Sequence, residues 1–155
     1  MTAHGLKQAI NSLSKEIQIN HFNNVKNIDA KLAEVMAFND YSVIRPLVRL
    51  IEDNAQYDEA IFLIIHSIES FEDSLYIVEI INEFPYLADK SPNWATILLL
   101  RILNSNTARE CMIEKVSLTT PAIKSSILFL LQRINEKKPK FSEKMIPLMK
   151  AVSTI

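Results

Sequence analysis

The chain has 155 residues, 48% of them hydrophobic and 23% charged, with a net charge of −1 and a single cysteine. One domain of that size is expected. No apolar run reaches the ~18 residues of a membrane span, and one cysteine allows no internal disulfide, so a cytoplasmic protein is expected. Gly5 is the only glycine, which argues against tight β-hairpins and against glycine-rich phosphate loops; an all-α protein remains.

The opening residues, MTAHGLKQAINSLSKEIQ, lack the apolar stretch of a secretory leader. In chain order, helical periodicity predicts helices over 5–19, 27–38, 43–52, 56–70, 73–84, 92–104, 107–117, 121–136 and 142–152. Ser91-Pro92 and Thr120-Pro121 each place a capping hydroxyl before a proline at the first helical position. Pro85 and Pro139 are expected beyond the ends of helices, and Pro147 should kink or shorten the last one. The short connections predict antiparallel hairpins, and starts near Tyr57, Pro92 and Pro121 recur at about 29 to 35 residues. The expected architecture is therefore a stack of about eight or nine helices resembling HEAT or armadillo repeats, with an orthogonal bundle as the alternative. In such a stack WATILLLRILN suits a middle position, because Trp94, Ile97, Leu98, Leu99, Leu100, Ile102 and Leu103 point nearly all round the helix.

Charge is sharply partitioned. Between Leu50 and Asp89 stand ten acids and no lysine or arginine, whereas residues 1–49 hold six basic and four acidic residues and residues 90–155 hold eleven and four. At 100° per residue, Asp58, Glu59, Phe62, His66 and Glu69 share one face of the helix over 56–70, opposite Tyr57, Ile61, Ile64, Ile65, Ile68 and Phe71. On the next helix Glu72, Tyr76, Glu79, Asn82 and Glu83 form a face opposite Ile77, Val78, Ile80, Ile81 and Phe84. Each acidic face thus carries one aromatic. The alternative to a binding surface is a solvated face, but no basic residue offsets the repulsion, and an aromatic ringed by like charge has the form of an interface anchor. The partner such a surface fits is a basic protein; nucleic acid is repelled from it.

His66 and Glu69 could supply two metal ligands, but the other histidines, His4 and His21, do not converge on them. No metal, no cofactor and no catalytic residues are expected. Cys111 reads as an inert, buried thiol. Arg101, in an otherwise apolar helix, needs a partner if buried; an acid such as Glu69 on a facing helix would serve, making Glu69 scaffold rather than interface. RINEKKPKFSEK gathers Arg133, Lys137, Lys138, Lys140 and Lys144, with only Phe141 as an aromatic for stacking nucleic-acid bases. It reads as a solvated basic segment, with nucleic-acid binding as the alternative.

The stretch AIFLIIHSIESFEDSLYIVEIINEFPYLADKSPNWATILLLRILNS, from Ala60 to Ser105, carries His66, Glu69, Trp94, Arg101 and Asn104 in that order. It resembles the immunity protein 30 family, helical antidotes encoded beside bacterial polymorphic toxins, including those of contact-dependent growth inhibition. The resemblance implies a non-enzymatic cytoplasmic protein that binds one cognate toxin domain, commonly a nuclease, and blocks its active site. Within that frame the expected partner is a basic toxin domain held in a 1:1 complex with a monomer, an EndoU-type RNase among the candidates. The expected contacts are Asp58, Glu59, Phe62, His66, Glu69, Glu72, Tyr76, Glu79 and Glu83. A helical-repeat adaptor without a toxin partner, or a nucleic-acid binder using the basic C-terminal third, are the competing readings.

Overall fold

Where the chain repeats apolar residues at helical spacing it forms helices, and the described residues contain no strand. The structure, a computed structural model, describes residues 3–20, 24–55 and 58–153; His21, Gln56 and Tyr57, and with Tyr57 one expected helix start, lie outside them. The chain divides into two compact units, Met1–Phe71 and Glu72–Ile155.

In the first unit α1 (Ala3–Asn20) pairs with α2 (Val25–Met36), and both α2 and the single-turn α3 (Ile44–Val48) pack on α4 (Asp58–Glu69). α2 buries Ile28, Leu32 and Val35, spaced i, i+4, i+7 along one stripe. α3 is shorter than the expected 43–52 helix. A 3-10 turn over Tyr41–Val43, one α-turn and the return at Ile51 together bury Val43, Ile44, Leu47, Val48 and Ile51, so a longer helix has nothing further to cover. The Asp40 carboxylate accepts the Ser42 N–H at 2.9 Å and caps that turn; this hydrogen bond, helped by the Ser42 side chain, holds the carboxyl below its ordinary value. Just before it, Asn39 takes φ 50°, a left-handed position that Asn tolerates and that glycine would otherwise fill.

The second unit is built on α5 (Asp73–Lys90), which packs against α6 (Pro92–Leu103), α7 (Asn106–Val116) and α8 (Pro121–Lys137). α9 (Ser142–Ser153) follows a 3-10 turn over Pro139–Phe141 and lies against α7 and α8. Pairings of each helix with the next but one, α5 with α7, α6 with α8 and α7 with α9, are compatible with stacked hairpins. α6 is covered on several sides as expected: Trp94, Ala95, Leu98, Leu99, Ile102 and Leu103 are buried, with Ile97 and Leu100 half-buried.

One proline expectation is corrected. α5 does not stop before Pro85 but runs through it to Lys90, because the extra turn buries Leu87 completely. α9, expected over 142–152, is not shortened by Pro147: it runs to Ser153 and buries Leu148 and Val152 beyond the proline. One cap is corrected as well. Thr120, in extended conformation, accepts the Ile123 N–H on its hydroxyl at 3.3 Å, but Ser91, turned to ψ 60° and buried, makes no such bond at the start of α6.

Candidate functional site

α4 begins with Asp58 and Glu59, which the positive end of its helix dipole favours by roughly 0.3–1 kcal/mol each. Its inner face is an isoleucine stripe. Ile61, Ile64, Ile65 and Ile68 are all fully buried, each worth about 1.5–3 kcal/mol of burial. On the stripe opposite, Asp58, Glu59 and His66 are exposed, and Phe62 and Glu69 half-buried. The Phe62 and His66 rings lie 6.2 Å apart, tilted by 34°, one helical turn from each other. Glu69 sits in the last turn, where the helix dipole disfavours a negative charge.

Beside this stripe, α2 and α4 enclose a groove of about 320 Å³ lined by Asp29, Leu32, Ala33, Met36, Leu63, His66, Ser67 and Ser70. α2 contributes four residues spaced i, i+3, i+4, i+7, and α4 contributes Leu63, His66 and Ser67, with Ser70 just past its end continuing the same spacing. Sequence reasoning did not find it. The spacing on α2 is visible in the sequence, but only the fold says that α2, two elements earlier, is the neighbour of α4.

On α5 the sequence projection is off by about a sixth of a turn. Tyr76 and Glu83, expected on the outer acidic face, are buried, with 5% and 4% exposure. Val78, expected inside, is exposed together with Leu75 and Asn82. The physical reason is that α5 serves three neighbours in its own unit, so its covered arc is wide and reaches past the isoleucines to Tyr76 and Glu83. Glu72 remains exposed and Glu79 half-buried. On the open side of α5, an apolar hollow of about 440 Å³ is lined by residues including Val78, Ile81, Lys115, Leu118 and Ile123, and Leu118 is 86% exposed.

No group of three or more His, Cys, Asp or Glu residues among the described residues could hold a metal. Cys111 is half-buried with its thiol 3.8 Å from the Asp73 carbonyl oxygen, to which it donates. Burial is the main cause that pushes this thiol up from its ordinary value; Asp73 and Glu114 add to it and Lys115 opposes. In the basic segment the Arg133 guanidinium lies 5.8 Å from the Phe129 ring centre and donates to Asn93 Oδ1 at 3.0 Å, and Lys144 Nζ donates to Asn104 Oδ1 at 3.2 Å. Lys137, Lys138 and Lys140 are exposed, and the Phe141 side chain lies outside the described residues.

The family model for immunity protein 30 matches residues 10–112, more than half of the chain. The chain belongs to the immunity protein 30 family. Proteins of this family are toxin-neutralising immunity proteins that bind a cognate toxin and are generally not enzymes. The stretch matched in this immunity protein takes in α2, α4, the groove between them, α5 and α6, and ends within α7, before the basic segment of α8 and α9. No curated protein and no solved structure matches the chain. Among its described residues no helix is long and apolar enough to cross a membrane.

Proposed function

We propose that this immunity protein neutralises a nuclease toxin by laying an acidic surface over the toxin's basic active-site cleft. The observation that carries the reading is the outer stripe of α4, where Asp58 and Glu59, exposed and without an ion-pair partner among the described residues, flank the Phe62–His66 ring pair. A nuclease holds phosphates with positive charge, so an acidic face that imitates the substrate docks there fast and specifically. Glu69 belongs to the same stripe, and Glu72 and Glu79, of the second unit, are proposed as contacts in their own right. Tyr76 and Glu83 are removed from the contact set because burial gives them structural work. An EndoU-type RNase of a contact-dependent inhibition system, met in the cytoplasm as a 1:1 complex, is the partner this reading names. No catalytic step and no cofactor is required of the immunity protein.

The test is co-expression with the toxin domain encoded beside this gene, followed by capture of the complex and an RNA-cleavage assay. A captured 1:1 complex without RNase activity is the expected result, with association slowing markedly as salt rises. Association rates that stay flat with ionic strength remove the electrostatic part of the reading. Heparin retention and a salt-sensitive RNA shift by the immunity protein alone, without toxin capture, favour the basic segment and nucleic acid instead.

A further inference from the structure

We infer that the groove between α2 and α4 seats a basic side chain of the partner, a lysine or arginine whose aliphatic stem lies on the groove floor and whose charged head meets Asp29. The inference rests on the toxin-binding reading and supplies the chemistry of its central contact. The floor is apolar: Leu32 is buried and Met36 and Leu63 half-buried. The polar groups around it are acceptors. Ser67 spends its one hydroxyl hydrogen on the Leu63 carbonyl at 3.0 Å and Ser70 spends its own on the Ser67 carbonyl at 2.6 Å, so both present lone pairs to a ligand. Asp29 is exposed, has no ion-pair partner among the described residues, and accepts only. His66 alone on the lining has a side-chain donor to spare, so an anion or a carboxylate finds almost nothing to bind.

Charge around the groove selects the same occupant. Glu59 lies one turn before Leu63 on the α4 stripe and Asp58 beside it, both without an ion-pair partner among the described residues. No lysine or arginine lines the groove; on α2 Lys26 lies one turn before Asp29, and Lys31 is paired with Glu34 at 3.9 Å. The volume is at the small end for a cofactor or drug-sized ligand and suffices for one long side chain. A stem on the apolar floor with a charged head at the rim is how lysine and arginine ordinarily bury themselves.

The probe is n-butylguanidinium, titrated into the full chain and followed through backbone amide shifts, with n-butylurea as the neutral control of equal shape. Saturating shifts at Ala33, Leu63, His66 and Ser67 are expected for the cation only, weakened in Asp29→Asn and lost in Ala33→Trp, whose indole fills the groove from an exposed position. An equal response to the urea, shifts scattered over all acidic residues, or no shift at all overturns the inference. In the complex with the adjacently encoded toxin domain, Ala33→Trp is expected to weaken binding by roughly 100-fold and Asp29→Asn by roughly tenfold. A wild-type complex indifferent to both substitutions overturns the groove assignment and leaves the immunity reading standing. Absence of any wild-type complex overturns the immunity reading itself, and the groove's partner with it.

Discussion

Cys111 and Tyr76 show how much a single residue's surroundings decide. The thiol is held up by burial and by the nearby carboxylates of Asp73 and Glu114, so at pH 8 less of it is thiolate than in a free cysteine. Alkylation by iodoacetamide is expected to run several-fold slower than for glutathione at that pH, the gap narrowing as pH rises; equal rates at pH 8 contradict this surrounding. Tyr76 and Phe62 look alike in the sequence, each an aromatic among acids, yet one is buried and the other half-buried on an outer stripe. Tyr76→Ala is expected to cost about 3 kcal/mol or more in denaturant unfolding, whereas Phe62→Ala should cost about 1 kcal/mol and act on toxin affinity instead. Identity alone could not separate them. What separates them is how many neighbours each helix has, which no local pattern encodes.

Single helices carried most of what was legible. On α4 the 100° projection places Ile61, Ile64, Ile65 and Ile68 inside and Asp58, Glu59 and His66 outside, while Phe62 and Glu69 are half-buried and Phe71, also half-buried, falls beyond the helix end. α5 has three neighbours, and its wide covered arc defeats a projection that assumes half in and half out. The same limit applies to Pro85, which local rules make a stop and tertiary burial of Leu87 overrides. Because the helix tolerates that proline rather than needing it, Pro85→Ala is expected to stabilise the protein by about 1–3 kcal/mol in urea unfolding, less the entropy the proline removes from the unfolded chain. The functional prediction also belongs to a helix: Asp58→Lys with Glu59→Lys should slow toxin association by at least roughly tenfold at low salt. The helix dipole makes the same pair cost about 1–2 kcal/mol of stability, so circular dichroism must accompany the binding measurement. Glu72→Lys with Glu79→Lys, on the second unit, tests by the same assay whether α5 takes part in the contact.

For the molecule, the helical class and most helix positions followed from periodicity and from the scarcity of glycine, because both are properties of the chain taken locally. The division into two units, the α2–α4 groove and the hollow beside Leu118 did not, since each depends on which distant segments meet. Connections between successive helices are short throughout the second unit: one residue separates α5 from α6, and only Asn104 and Ser105 separate α6 from α7. The strongest pairings in that unit, α5 with α7 and α8, reach two and three helices along the chain, but loop-closure entropy grows slowly with separation and all-helical topologies are among the fast folders, on the order of microseconds to milliseconds. Stopped-flow refolding is expected to finish its main phase within about ten milliseconds, and a dominant phase of seconds would contradict this. For an antidote, that speed matters separately from affinity. The interval in which a newly made chain offers no protection is then set by the ribosome, because folding adds almost nothing to it.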